Sequence, residues 1–259
     1  IQNKVSEIYL CIDKLIPQFE LEAQGGYVDQ GFVTEADVRG FVEKAGKFGI
    51  RVAALSGSAR WIYPSNNRLG IENYFDKYRS YQQNAKENEK FYAMHLDVEP
   101  HQLPEFRTDR SEVMQWFADF VVYTYDRAKE LNAKLEWDIP FWLRDVVKHP
   151  KTGSDIVLGE LMAIYSDTLT IMSYRDTAQQ IYNVSVDQIA YAKKHNRKLI
   201  LAAECYSEEG DHVSFMEEGK NELARQAKLL RGIMDGLGLN SYGFAVHQSH
   251  TWFLLKDGE

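Results

Sequence analysis

The sequence predicts an α/β fold of the (β/α)8-barrel type, built as a single domain over residues 1–259. Seven short apolar runs alternate with segments of helical spacing, and this alternation is typical of βαβ units around a parallel sheet. The apolar runs are nearly continuous, as expected when both faces of a sheet are covered. A doubly wound open sheet would alternate in the same way. It normally carries a Gly-rich phosphate loop after an early strand, and the sequence contains no such loop.

Four strands and three helices are predicted in the first half of the chain. We place the strands at residues 5–13, 50–55, 91–100 and 134–139, and the helices at residues 35–47, 71–90 and 111–132. Residues 18–31 and 61–70 are predicted to be loops. Thr34 is expected to cap the first helix, and Glu35 and Asp37 place negative charge in its first turn. Gly49 is expected to end that helix.

Three strands and three helices are predicted in the second half. The strands are placed at residues 168–174, 198–205 and 241–247, and the helices at residues 155–165, 177–194 and 214–236. Seven strands are one fewer than a complete barrel contains. Since the chain begins at Ile1 without an initiator Met, we expect residues 1–4 to be the end of a helix whose preceding strand is missing. The run at residues 91–100 would then be barrel strand four.

Composition limits the function classes. The net charge of −8 argues against a nucleic-acid partner, because phosphate contacts need clustered Lys and Arg, and it favours neutral or cationic substrates. No apolar run is long enough to span a bilayer. No signal peptide is present, so the compartment stays open, with a secreted or cell-surface location as one expectation. Cys11 and Cys205 are expected to be small core residues, and a disulfide between them is left open.

The run at residues 91–100 contains the strongest functional pattern. His95, Asp97 and Glu99 occupy every second position, so in a strand their side chains would share one face. Pro100 is expected to end the strand, because proline has no amide hydrogen for the ladder. Two carboxylates beside an imidazole are costly to bury and point to a functional site. The alternative is structural, with one acid pairing with an Arg or capping the next helix.

Polar and aromatic side chains gather at the predicted carboxyl ends of the strands, where barrel active sites lie. The polar ones are Asp13, Ser56, Ser58, His95, Asp97, Glu99, Glu136, Asp138, Tyr174, Asp176, Glu204, His247 and His250. The aromatic ones are Trp61, Trp137, Trp142, Tyr174 and Trp252. Aromatic rings stacked on sugar rings would explain the second set, and simple packing between loops is the alternative.

A resemblance follows from these residues. The sequence H-L-D-V-E at residues 95–99 resembles the D-x-D-x-E signature of the chitinase-type family of glycoside hydrolases, with His95 in place of the first Asp. Met172-Ser173-Tyr174, followed by Asp176, is similar to that family's Met-x-Tyr-Asp motif, with Arg175 inserted. The loop that bears Trp252 after the last strand is loosely similar as well.

This resemblance implies hydrolysis assisted by an N-acetyl group of the substrate. Glu99 would be the acid, Asp97 would orient the acetamido group, and Tyr174 would bind the same group. His95 stands where the family has its first Asp. The coupling between neighbouring Asp residues that is usual in the family is therefore left open for this chain.

A second resemblance is to the large clan of retaining barrel glycosidases. That clan places its acid/base at the end of strand four and its nucleophile at the end of strand seven, which here correspond to Glu99 and Glu204. The clan usually has Asn before the acid, whereas this chain has Val98. Both schemes, and an inverting one, need one protonated and one ionised carboxyl group. Glu99 is the acid in each of them.

The sequence therefore predicts a glycosidase that acts on a polysaccharide or glycan, with N-acetylated amino sugars as candidate components. The predicted catalytic residues are Glu99, Asp97 and Glu204. The predicted substrate-binding residues are His95, Asp138, Trp137, Tyr174, Asp176, His247, Trp252 and Trp61. No cofactor and no metal are expected.

Two other classes stay open. His95, Asp97, Glu99, Asp138, Glu204 and His247 could hold a divalent metal in a hydrolase barrel, although H-x-H and H-E-x-x-H motifs are missing. A barrel that binds glycans without cleaving them is the non-enzymatic alternative. The sugar, the linkage, endo or exo action and the oligomeric state are not determined by the sequence.

Overall fold

The computed structural model describes residues 5–15, 33–66, 68–206 and 212–257. Seven parallel strands alternate with helices along this part of the chain, beside a short antiparallel pair, which confirms the predicted α/β fold class of the TIM-barrel type. Two compact units are distinguished, Gln2–Glu136 and Trp137–Glu259, and their boundary falls within the fourth strand. The expectations for residues 1–4 and 18–31 lie outside the described residues.

The strands of the first unit pair in parallel. Its strands are β1 (Glu7–Cys11), β2 (Arg51–Ser56), β3 (Ala93–Asp97) and the start of β4 (Leu135–Pro140), and its helices are α1 (Glu35–Lys47), α2 (Leu69–Asn84) and α3 (Arg110–Glu130). Cys11 pairs with Leu55 and Leu55 pairs with His95, so the carboxyl ends of β1, β2 and β3 lie at one edge. The amide of Met94 donates to the carbonyl of Lys134 over 2.9 Å.

Local signals set the bounds of α1. Thr34 accepts a hydrogen bond from the amide of Asp37, and the Asp37 carboxylate accepts one from the amide of Thr34, which completes a capping box. Gly49 has φ +72°, a conformation that glycine adopts without strain, and it lies just after the helix. The observed helix is the predicted one.

Two predicted elements of the first unit have different bounds. The helix expected at residues 71–90 is α2, Leu69–Asn84, and Ala85 then adopts extended backbone with ψ 145°. The strand expected at residues 91–100 ends at Asp97. Val98 and Glu99 lead into a short 3-10 helix, Pro100–Gln102, because proline suits the first position of a helix.

The second unit has its own parallel strands. It contains β7 (Thr168–Met172), β8 (Lys198–Glu204) and β9 (Tyr242–His247), the antiparallel pair β5 (Val146–Lys148) and β6 (Asp155–Val157), and helices α4 (Leu158–Ile164), α5 (Ala178–Lys194), α6 (Gly219–Asp235) and α7 (Ser249–Leu254). Leu201 of β8 pairs with Ile171 and with Phe244. The carboxyl ends of β7, β8 and β9 therefore meet at one edge.

Two predicted helices of this unit begin too early. The helix expected at residues 155–165 is α4, since Asp155–Val157 pairs with Val146–Lys148 as β6. The helix expected at residues 214–236 is α6, which starts at Gly219. Phe215 is not helical because its amide donates to the carbonyl of Glu204 over 2.9 Å, at the end of β8.

Two composition-based expectations concern the cysteines and the membrane. Both cysteines are free thiols; Cys205 is buried as expected, whereas Cys11 is exposed, which corrects its assignment to the core. No helix in the described ranges is long and apolar enough to cross a membrane.

Candidate active site

In the first unit, the carboxyl ends of the strands bring a carboxylate and a hydroxyl together. The hydroxyl of Ser56, at the end of β2, donates to Oδ1 of Asp13 over 2.6 Å. Burial raises the pKa of Asp13, and the hydrogen bonds from Ser56 and Cys11 oppose that rise. A Cβ atom at Gly57 would lie 1.7 Å from the carbonyl oxygen of Asp97, so the two backbones are in contact there. Asp97 itself is half-buried.

Glu99 lies two residues beyond the end of β3 and at the start of the 3-10 helix. Its Oε1 accepts a hydrogen bond from Nε2 of Gln102 over 2.8 Å, and its Oε2 lies 3.2 Å from Nε2 of His101. The Glu99 side chain is 24% exposed, so a ligand can reach it. The two partners of Glu99 also line an open pocket of about 460 Å³, whose lining residues are His101, Gln102, Leu103, Pro104, Arg107 and Thr108.

His95 lies deeper in the first unit than the strand ends. Its ring is fully buried and stacks on Tyr9, with ring centroids 3.8 Å apart. Nδ1 of His95 lies 3.3 Å from Oε2 of Glu136, and the same oxygen accepts a hydrogen bond from the hydroxyl of Tyr92 over 2.8 Å. We call His95 and Glu136 the inner pair. The structure thus separates His95 from the more exposed Asp97 and Glu99, and its role in substrate binding stays a prediction.

In the second unit, Glu204 and His247 are register partners at the ends of β8 and β9. Oε2 of Glu204 lies 2.7 Å from Nδ1 of His247, and we call these two residues the outer pair. Oε1 of Glu204 accepts hydrogen bonds from the amides of Cys205 and Tyr206, over 2.7 and 2.9 Å. The Tyr174 ring stacks on the His247 ring, with centroids 6.0 Å apart. The structure therefore brings together three residues that the sequence predicted as site residues.

The two side chains of the outer pair differ in exposure. The Glu204 side chain is 3% exposed, whereas the His247 side chain is 54% exposed. The imidazole is thus the accessible member of the pair.

Cys205 follows Glu204 in the sequence. Burial, together with the nearby Glu204 carboxylate, raises the pKa of the Cys205 thiol to about 12, so Cys205 is a neutral thiol at physiological pH.

Asp176 is buried and lies near residues that the sequence analysis did not single out. Its Oδ2 lies 3.1 Å from Nδ1 of His212, an exposed residue. Burial raises the pKa of Glu218, and the nearby Asp176 carboxylate raises it further. Neither His212 nor Glu218 belongs to a recognisable motif, and Glu218 lay inside a predicted helix. Only the folded chain shows that they are close to Asp176.

The remaining predicted site residues lie in varied surroundings. Trp61 is buried, and its indole ring occupies the space where a side chain at Gly70 would lie. Trp137 is fully buried in β4, and Asp138 beside it is half-buried. Trp252 is half-buried in α7 and stacks on Phe253. Trp252 can therefore be reached by a ligand more easily than Trp61 or Trp137, and sugar stacking by any of the three stays a prediction.

Metal ligation needs several donors in one place. Among the residues that the structure describes, no group of three or more His, Cys, Asp or Glu side chains is arranged to hold a metal ion. The metal-dependent alternative therefore has no ligand cluster in this part of the chain.

Comparison with known proteins identifies the fold. No protein-family model matches the chain, and no curated protein matches its sequence. A fungal β-1,4-galactanase structure is similar with a TM-score of 0.51 and 9% identity, over 83% of this chain and 73% of that one. An engineered protein is similar with a TM-score of 0.52 and 10% identity, over 93% of this chain and 56% of that one.

A protein named as a sporulation-specific glycosylase from Bacillus subtilis also matches, with a TM-score of 0.44 and 12% identity over 75% of this chain. The chain spans 60% of the length of that protein and 56% of the engineered one. At these identities the likeness is one of fold alone, and that fold is of the TIM-barrel type.

Proposed function

We propose that this protein hydrolyses glycosidic bonds in a polysaccharide or glycan, with N-acetylated amino sugars among its candidate components. The observation that carries the proposal is the environment of Glu99, a partly exposed carboxyl group beyond the end of β3 whose two contacts, His101 and Gln102, line an open pocket. Barrel enzymes place their reacting groups at the carboxyl ends of strands. The likeness in fold to a β-1,4-galactanase is consistent with this proposal.

Glu99 acts in this proposal as the general acid that protonates the leaving oxygen. His101 and Gln102 contact its two carboxyl oxygens and would fix the orientation of the group. Asp97 precedes it by two residues and would orient the acetamido group of an amino-sugar substrate. Substrate binding by Asp138, Tyr174, Asp176 and Trp252, which belong to the second unit, stays a separate prediction.

The test is the release of reducing ends from a panel of polymers, namely chitin oligosaccharides, β-1,4-galactan and soluble cellulose. The variant Glu99→Gln keeps the size of the side chain but removes the acidic proton. We expect its kcat on the active polymer to fall by roughly 10²- to 10⁴-fold, the usual contribution of a general acid. Unchanged turnover in Glu99→Gln would remove Glu99 from the mechanism.

Glu105→Gln is the matched control. Glu105 is a nearby carboxylate in the 3-10 helix Pro104–Arg107, and it accepts a hydrogen bond from the hydroxyl of Tyr63. This variant should keep wild-type turnover. Binding of a polymer without any product would support the glycan-binding alternative, and activity that chelation abolishes and a divalent cation restores would support the metal-dependent one.

A further inference from the structure

Asp13 is another carboxyl group at the strand ends of the first unit. It begins a short 3-10 helix two residues beyond β1, where the amide of Ile12 still donates to the carbonyl of Leu55 over 2.9 Å. The pairing of β1 with β2 therefore continues up to Asp13. Its Oδ1 accepts the 2.6 Å hydrogen bond from Ser56, and the residue is half-buried. Asp13 is thus held in place at the edge where the strands end.

The register of the strands relates Asp13 to Asp97. Continued two steps past the last β1–β2 pair and one step past the last β2–β3 pair, it sets Asp13 level with Gly57, and Gly57 level with Asp97. Gly57 contributes no side chain to this row, and its backbone touches the carbonyl of Asp97. Asp13 and the segment that leads to Glu99 are therefore two strand spacings apart, about 10 Å.

Asp13 has the protonation chemistry of a general base. Burial raises its pKa from the ordinary value of 3.8, and the hydrogen bonds from Ser56 and Cys11 oppose that rise. A base works best when its pKa approaches the working pH while it stays ionised. Other titratable side chains around Asp13 are Cys11 on β1, Tyr74 on α2 and Asp97 after β3. The thiol and the phenol are neutral near pH 7.

We propose that Asp13 is the general base of the hydrolysis proposed above, and that the reaction inverts the configuration of the anomeric carbon; this inference rests on the proposed function. Asp13 and Glu99 belong to the same unit. Inverting glycosidases keep their acid and base roughly 6.5–9.5 Å apart, which leaves room for a water molecule beside the sugar.

The two carboxyl groups have complementary tasks in this reaction. The oxygen of the water forms the new bond to the anomeric carbon, and Asp13 takes the proton that the water loses. The glycosidic C–O bond breaks, its electron pair stays on the leaving oxygen, and this oxygen takes the proton of Glu99. Exchange with solvent then returns both carboxyl groups to their starting states.

The configuration of the first product tests this mechanism on the polymer that the wild type cleaves. ¹H NMR of the newly released reducing ends, recorded before mutarotation, should show the anomer opposite to that of the substrate. Hydrolysis through a carboxylate nucleophile releases the same anomer as in the substrate, and so does assistance by an acetamido group. A retained configuration would overturn the role of Asp13 and leave the glycosidase function standing.

Asp13→Asn tests the base directly. The side chain keeps an oxygen that can accept from Ser56, and we expect kcat to fall by roughly 10²- to 10⁴-fold. Azide is a small anion that attacks without a base, so it should restore part of the turnover and give a glycosyl azide of inverted configuration. Asp76→Asn is the matched control, at an exposed carboxylate of α2 that pairs with Arg79, and it should keep wild-type turnover.

Ser56→Ala tests the same role with the carboxylate in place. The hydroxyl of Ser56 stabilises the ionised form of Asp13, so its loss should raise the pKa of Asp13. A base must be ionised to act, and kcat/KM falls below its pKa. The acidic limb of the kcat/KM profile should therefore move to higher pH. Ser58→Ala is the control and should leave the limb in place, because the Ser58 hydroxyl accepts from the amide of Arg60.

The outcomes separate the two proposals. Wild-type turnover in Asp13→Asn, with turnover lost in Glu99→Gln, would overturn the role of Asp13 and leave the glycosidase function standing. Turnover lost in Asp13→Asn without rescue by azide, and with an unmoved acidic limb in Ser56→Ala, would also overturn it, because the loss would then be structural. If the wild type cleaves no glycan, the function and the inference fail together.

Discussion

The inner pair and the outer pair are built from the same two side-chain types but differ in depth. His95 and Glu136 lie within strands and are 0% and 2% exposed, and the imidazole stacks on Tyr9. Glu204 and His247 lie at strand ends, and there only the carboxylate is buried. Of the two imidazoles, the one at the strand end is therefore the one that solvent reaches.

This difference predicts different consequences of mutation. A buried polar pair costs free energy to desolvate, and removing one partner leaves the other without compensation, so the inner pair should control stability. The outer imidazole is half exposed and costs little to desolvate. Its loss should leave the fold intact.

The largest expected effect on stability is that of Glu136→Ala. This change removes the acceptor that both His95 and the Tyr92 hydroxyl contact. We expect the free energy of unfolding to fall by roughly 3 kcal/mol or more, as for other broken buried pairs. Urea denaturation followed by circular dichroism measures it. Glu130→Ala, which removes an exposed carboxylate paired with Arg127, is the control. If Glu136→Ala lowered the free energy of unfolding no more than Glu130→Ala does, the stabilising role of the inner pair would be contradicted.

The second prediction concerns Tyr92, which donates to the inner pair. Tyr92→Phe removes a half-buried hydroxyl that donates to Glu136 over 2.8 Å and lies 3.2 Å from Oε2 of Glu7, and it should lower the free energy of unfolding by about 1 kcal/mol at neutral pH. Urea denaturation measures this change as well. A cost as large as that of Glu136→Ala would show that the hydroxyl, and not the imidazole, is the main partner of Glu136.

The stability of the protein at alkaline pH gives a second test of Tyr92. Burial, followed by the Glu136 carboxylate, raises the pKa of Tyr92 well above its ordinary value of 10.0. The folded protein therefore keeps the phenol neutral, and the stability that Tyr92 contributes is present below pH 10 and is lost as the pH rises further. Above pH 10 the wild type should lose stability more steeply than Tyr92→Phe. Parallel stability curves for the two proteins would contradict this linkage.

The smallest expected effect on stability is that of His247→Asn. The two backbone amides would still donate to Glu204, and the imidazole is half exposed. We expect a change of about 0.5 kcal/mol or less, in the range of ordinary surface substitutions. Thermal denaturation checks this expectation. A loss as large as that of Glu136→Ala would mean that the outer pair is structural after all.

Local signals made much of the fold predictable. The bounds of α1 follow from Thr34 and Gly49, two residues that act within one turn of the chain. The predicted starts of α4 and α6 were wrong because the residues just before these helices pair with other segments. Ile156 pairs with Val147 in the antiparallel pair, and the amide of Phe215 donates to the carbonyl of Glu204. Hydrophobic spacing cannot detect such partners.

The candidate site was predictable where it depends on strand ends. The rule that parallel strands end at one edge anticipated that polar side chains would gather at the strand ends, as Asp13 and Ser56 do in the first unit and Glu204 and His247 do in the second. It could not foresee the burial of His95, because alternation states which residues share a face but not how deep they lie. Glu218 was missed because its proximity to Asp176 depends on the path of the chain before α6.

Gly57 restricts which sequences this fold accepts. Its backbone touches the carbonyl of Asp97, and its φ is not in the left-handed region, so glycine is needed there for space and not for conformation. In a saturation library, even alanine at position 57 should be depleted among folded clones, whereas Gly40, with nothing near its Cβ position, should accept alanine. Selection for altered activity around Asp97 should therefore vary the neighbouring side chains and keep glycine at position 57, where the two backbones touch.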